Sequence, residues 1–233
     1  MGLLSTSPPH APHTLRVLAH LLRYPDSTFR AHIPEMQAAL KAEAALAPQR
    51  LAELQALLQH LALSPTLDVE GEYVELFDRG RRTALHLFEH VHGDSRERGP
   101  AMIDLIQTYE KGGLYLGPEE LPDHLSVLLE FASTQPAQEA RQFLGEVAHI
   151  VRNIFSALQE RSSPYASVLA AVLEMAGERA ATVPVAPEPS IDESWAEPEV
   201  FGGCSTEGQA KPGQPQPIQI VRKAHQLSQG AQA

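Results

Sequence analysis

From His13 to Gly177 the apolar residues recur every three or four positions, the spacing of one helical face; beyond it, proline and glycine break the rhythm. Leu15, Leu18, Leu21 and Leu22 define a first helix, and Tyr24-Pro25 closes it, because the residue before a proline is pushed out of the helical region. A second begins after Asp26-Ser27, is interrupted at Pro34, and continues through Met36 and Leu40 to Leu46. Pro48 suits a first turn, where its missing N–H has no partner to lose, and opens a third helix carrying Leu51, Leu54, Leu58 and Leu61. Leu67–Phe77 forms a shorter fourth, with Val69, Tyr73, Leu76 and Phe77 apolar. After the loop signal Asp78-Arg79-Gly80, the segment Thr83–Val91 predicts a helical turn or two. Asp94 reads as the N-cap of a strong helix with Met102, Leu105, Ile106 and Tyr109 inward, and Gly112-Gly113 stops it. Pro122 opens the next, with Leu125, Leu128, Leu129 and Phe131 inward. Two more follow, on Phe143, Val147, Val151, Ile154 and Leu158, and on Tyr165, Val168, Leu169, Val172 and Met175. No alternating run of β-branched residues occurs, so the pattern predicts an all-α fold, a single helical bundle.

The pattern also predicts a boundary. Residues 1–181 form the helical domain, and residues 182–233, with seven prolines after Thr182, bury too little apolar surface to offset ordering entropy. A mobile Pro/Gly-rich tail is expected there, with two less polar islands, Ile191–Phe201 around Trp195 and Pro217–Val221, able to dock.

Charge narrows the partners. Lys and Arg number 18 against 29 Asp and Glu, a formal net charge of -11, so the surface repels a phosphate backbone and attracts a basic peptide or protein face. The single cysteine, Cys204, excludes an internal disulfide and any Cys-x-x-Cys cluster site, and fits a reducing compartment. Met1 to His10 lack the basic and apolar blocks of a secretory signal, and no run approaches the roughly 18 apolar residues of a spanning helix. Phosphate-cradling glycine loops and the Gly-x-Ser-x-Gly nucleophile elbow are absent from the sequence.

Two clusters could carry chemistry. His86-Leu87-Phe88-Glu89-His90 has the order H-x-x-E-H, in which two histidines one helical turn apart bind zinc and the glutamate is the base; a zinc-dependent hydrolase on His86, Glu89 and His90 is the alternative reading. Against it, Gly80 and Gly93 flank the segment and no third ligand is marked out. Glu119-Glu120-Leu121-Pro122-Asp123-His124 gathers four ionisable groups at the mouth of a helix, where the helix N-terminus stabilises carboxylates without any further role. Beside Leu121 and Leu125 the same cluster suits a basic amphipathic ligand.

The block Glu72–Gly80 (Glu-Tyr-Val-Glu-Leu-Phe-Asp-Arg-Gly), the block Leu85–Gly99, and Glu120-Leu121-Pro122-Asp123-His124-Leu125 with Leu129-Glu130-Phe131 together resemble the NarJ-type assembly chaperones of respiratory nitrate reductase. The Asp123-His124 pair also matches the wider family of molybdoenzyme maturation chaperones. The resemblance implies a cytoplasmic, non-catalytic helical domain without a cofactor or metal of its own. Such proteins bind the N-terminal segment of the enzyme's catalytic (alpha) subunit, hold it apo until the molybdenum cofactor is inserted, and delay its docking to the membrane subunit. By the same resemblance Tyr73, Leu76, Phe77, Asp123 and His124 are associated with peptide recognition, and the acidic mouth adds Glu120. The groove such a ligand needs is expected between the Tyr73–Phe77 segment and that mouth.

Overall fold

The computed structural model describes residues 11–184 except Asp94 and Glu119, so the tail with its Trp195 and Pro217–Val221 islands, and the Asp94 cap, lie outside the described residues. Ten α-helices are present among those residues: α1 (Pro12–Leu21), α2 (Ser27–Ala31), α3 (Ile33–Glu43), α4 (Pro48–Leu63), α5 (Thr66–Tyr73), α6 (Leu87–Val91), α7 (Arg98–Lys111), α8 (Leu125–Thr134), α9 (Ala137–Glu160) and α10 (Ala166–Met175). A π-helical turn, Val74–Asp78, and a 3₁₀ turn, Arg81–Thr83, join α5 to α6. The fold is the expected all-helical one.

Two helices form the centre because they are apolar all round. In α8, Leu125, Val127, Leu128, Leu129, Phe131 and Ala132 are buried, and in α10 every residue from Ala166 to Leu173 is. Against this pair pack α1, which lies along α8, and α9, which runs antiparallel along α10; α3 and α4 close the remaining side. Both α1 and α9 are one-sided, so each buries one stripe and shows water the other.

Local chemistry sets the boundaries. The Asp26 carboxylate accepts the Phe29 N–H at 2.7 Å and caps α2. The break between α2 and α3 falls at His32 rather than at Pro34, because Pro34 sits in the first turn of α3, where its lack of an N–H is harmless. The fourth helix changes character at Val74. The Arg79 N–H reaches back to the Val74 carbonyl at 3.1 Å, an i→i+5 bond, and this widened turn carries Leu76 and Phe77. Gly112 ends α7 for a steric reason: a Cβ there would stand 2.4 Å from the Phe131 ring. Gly113, at φ +85°, takes a conformation only glycine adopts easily.

The Thr83–Val91 segment departs from a simple helix. His86 stays extended and forms one antiparallel bridge with His124: Leu87 N–H donates to Asp123 O at 3.0 Å and Leu125 N–H to Leu85 O at 2.9 Å. Past Met175 the described chain turns back along α9, where Arg152 pairs with Glu178 at 2.6 Å and Val183 N–H donates to Ser156 Oγ at 3.0 Å. No described helix is long and apolar enough to cross a membrane.

Candidate functional site

The bridge between residues 85–87 and 123–125 brings together chemistry that is 37 positions apart in sequence. Asp123 is its hub and is fully buried. One carboxylate oxygen, Oδ1, accepts from His86 Nδ1 at 3.3 Å; since a carboxylate only accepts, Nδ1 carries the proton. Oδ2 accepts the Phe88 N–H at 3.3 Å and lies 3.5 Å from Arg98 Nη2, which also reaches Glu89 at 3.6 Å. A single carboxylate thereby ties together the 84–88 loop, the start of α6 and the start of α7. Burial on its own raises an Asp pKa, but the His86 hydrogen bond and charge, with Arg98 and the Phe88 N–H, outweigh it and hold the Asp123 carboxyl below its usual range. The same bond to Asp123 raises His86, against the opposing pull of its partial burial.

His124 does a different job. Its Nδ1 accepts the Ser126 N–H at 3.3 Å and bonds Ser126 Oγ at 2.7 Å, capping α8. Only the neutral ring can accept, and burial, with the charge of nearby His86 assisting, pulls the His124 pKa down to about 4. The two imidazoles meet edge to face, with ring centres 4.9 Å apart. Next to them, Arg23 bridges Glu130 at 3.0 Å and Glu120 at 3.6 Å, and Leu121 is 49% exposed. Arg23, Glu120, Leu121 and His124 line a shallow hollow of about 380 Å³.

The residues expected at the client site therefore fall into two groups. Glu120 is exposed, His124 half-buried and Asp123 sealed beneath them. Tyr73 and Phe77 are each 6% exposed and pack in the core, so their rings do not line the surface where the groove was expected. Tyr73 donates its hydroxyl to Leu22 O at 2.9 Å, and both rings pack against buried Tyr165, Phe77 at 5.1 Å and Tyr73 at 6.4 Å. Of the three residues expected there, Leu76 alone is partly open. The corner Arg23-Tyr24 connects the groups, because Tyr24 packs on Tyr73 at 5.6 Å while Arg23 holds Glu120. Sequence reasoning passed over that corner, since Tyr24-Pro25 read only as a helix stop. It also missed Arg98, whose role depends on contacts that sequence spacing does not show.

The H-x-x-E-H arrangement is not built here. His86 precedes α6 rather than lying in it, so it and His90 do not share a helical face. His86 bonds Asp123, whereas His90 Nε2 donates to Ala84 O at 2.8 Å. Among the described residues no group of three or more His, Cys, Asp or Glu side chains is placed to hold a metal ion.

The helical architecture has a counterpart among solved structures. It matches the solved structure of a protein from Archaeoglobus fulgidus assigned to redox enzyme maturation, with a TM-score of 0.50 over 76% of this chain and 96% of that one; at 22% identity the match speaks for the fold alone. Residues 26–171 match the family described as nitrate reductase delta subunit, and the chain belongs to that family. It is 43% identical over 162 residues to the nitrate reductase molybdenum cofactor assembly chaperone NarJ of Escherichia coli K12, covering 70% of this chain and 69% of the relative. It is 39% identical over 163 residues to the probable assembly chaperone NarW of the same organism, covering 70% and 68%. To the probable NarJ of Bacillus subtilis it is 34% identical over 169 residues, 71% and 91% of the two chains.

Proposed function

We propose that this protein is a cytoplasmic assembly chaperone of respiratory nitrate reductase. It binds the N-terminal segment of the apo catalytic (alpha) subunit, keeps it open for molybdenum cofactor insertion and delays its docking to the membrane subunit. The names of its relatives support the chaperone role. The observation that carries the site is the Asp123 hub, beside which exposed Glu120 and Leu121 and half-buried His124 form a rim next to the Arg23-Tyr24 corner. On this reading Leu76, Glu120 and His124 meet the client, while Tyr73, Phe77 and Asp123 hold that surface in shape from beneath.

The protein is not an enzyme on this reading, and the hub supports it. An Asp–His pair can serve as a catalytic dyad, but here the carboxylate is sealed from solvent and divided among three partners, and the second histidine is occupied as a helix cap. The arrangement holds a shape. The 1–181 domain is proposed to be the working unit, with the tail beyond it accessory.

Affinity-tagged protein expressed in nitrate-respiring cells is expected to co-purify with the catalytic subunit in its molybdenum-free form. Deleting the first residues of that subunit should abolish the capture. Capture that persists without that segment, or capture of the cofactor-loaded subunit only, would contradict the reading.

A further inference from the structure

Helix α7 is fastened at its ends and loose in its middle. At one end Arg98 reaches Asp123. At the other, Tyr109 donates its hydroxyl to Pro122 O at 2.7 Å and packs its ring on Phe131 at 4.9 Å, while Gly112 sits against Phe131. Of the four side chains expected to face inward, only Tyr109 is buried; Met102, Leu105 and Ile106 stay partly open, and Ile103 is 56% exposed. Between α7 and α9 this leaves a groove of about 610 Å³. Buried Leu128 lies at its floor, and half-buried Leu105, Phe143 and Val147 on its walls pack one side on the core, Phe143 against Phe131 at 5.0 Å, and leave apolar surface in the groove.

The rim has one sign. Asp104 on α7 and Glu139 and Glu146 on α9 are exposed lining residues, the lining contains no Lys, Arg or His, and none of the three carboxylates is in an ion pair among the described residues. An apolar trough between two helices takes a third helix through residues at i, i+3, i+4 and i+7. A carboxylate rim without counter-charges selects cationic flanks on that helix.

We infer that the α7–α9 groove is a second docking surface, distinct from the Glu120–His124 rim, and that it takes a basic amphipathic helix. Resting on the chaperone reading, the groove gives the client a second grip next to the Asp123 hub, since Phe88, whose N–H donates to Asp123, lines it. The helix seats its apolar stripe on Leu105, Phe143 and Val147 and sets Lys or Arg opposite Asp104, Glu139 and Glu146.

The test uses the full chain and two synthetic helical peptides about four turns long, one alternating Leu stripes with Lys and the other the same stripes with Glu. By calorimetry the Lys peptide is expected to bind, more weakly as salt rises, and the Glu peptide to show no heat of binding. Glu139→Lys with Glu146→Lys should weaken the Lys peptide about tenfold or more, whereas Glu35→Lys with Asp68→Lys, a matched reversal away from the groove, should change it less than about twofold. Leu105→Gln, a half-buried surface position, should weaken it without altering the salt slope. Equal losses from the two reversals, or no loss from the groove reversal, would mean diffuse attraction and overturn the inference. Co-purification separates it from the chaperone reading. If the wild type fails to capture the catalytic subunit, the chaperone reading and the client's place in this groove fall together. If it captures the subunit and the groove reversal captures it equally, the groove alone falls.

Discussion

Replacing Phe77 with alanine is expected to cost about 3–5 kcal/mol of folding stability, the usual range for deleting a buried aromatic. The ring is 6% exposed and packs on Tyr73 at 4.9 Å and on Tyr165 at 5.1 Å, so its removal opens a cavity bounded by rings that do not collapse easily. At this size about 1 kcal/mol moves the midpoint by 2–4 °C, so the melting temperature should drop by roughly 6–20 °C. Tyr73→Phe should be milder, about 1 kcal/mol, because the Leu22 carbonyl loses its donor but the packing stays. Differential scanning calorimetry with a client-peptide titration of the folded fraction separates the two possible roles. A Phe77→Ala protein that melts like the wild type and has merely lost affinity would show that the ring contacts the client and is not core.

The second large effect is at the hub. Asp123→Asn keeps the shape but removes the charge that His86 and Arg98 face, and one amide hydrogen is turned toward a donor; truncating one partner of such a buried network costs about 2–4 kcal/mol. The pH dependence carries a sharper signature. Asp123 has a lowered pKa in the fold, so its stabilisation is present above the unfolded value of about 3.9 and is lost as pH falls through the folded one. His86 is raised, so its contribution is full below the unfolded value of about 6.5 and lost as pH rises through its folded value. His124 is pulled down to about 4, so its contribution is full above about 6.5 and lost as pH falls toward 4, when the protonated ring can no longer cap α8. Between pH 6.5 and 4 His86 is protonated in both states and adds no slope, so His124 governs that window, whereas above pH 6.5 His86 makes stability fall as pH rises. Asp123→Asn removes the main source of the His86 shift and with it the loss of stability above pH 6.5. Urea midpoints of the wild type should therefore fall as pH rises above about 6.5, and those of the variant should not. Parallel curves would mean that His86 draws nothing from Asp123.

The parts of this molecule that the sequence made legible are those governed by neighbours along the chain. Helix periodicity, Pro48, the Asp26 cap and the Gly112-Gly113 stop each report a local constraint, and the bundle follows from them. Legibility failed where a distant segment intervenes. His86 to His90 have the spacing of a helical metal motif, but residues 85–87 are claimed by hydrogen bonds to 123–125, and that pairing holds His86 extended. Tyr73, Leu76 and Phe77 read correctly as apolar, but periodicity cannot tell whether a stripe meets its own core or a partner; Tyr165 and Leu22 decide that, from far along the chain. In α7 the same ambiguity ran the other way: an apolar face that looked ready for the core is left half open beside α9. The acidic mouth was visible as a cluster, but not that Asp123 turns inward while Glu120 faces out.

If this chain serves cofactor loading of nitrate reductase, the molybdenum content of the catalytic subunit follows its presence. Nitrate reductase catalytic subunit purified from cells lacking this protein should contain well under one molybdenum atom per chain, and expression of the wild-type protein should restore it. The control reversal Glu35→Lys with Asp68→Lys should restore it as well, and Asp123→Asn only poorly. A catalytic subunit with its full complement of molybdenum in the absence of this protein would contradict the account.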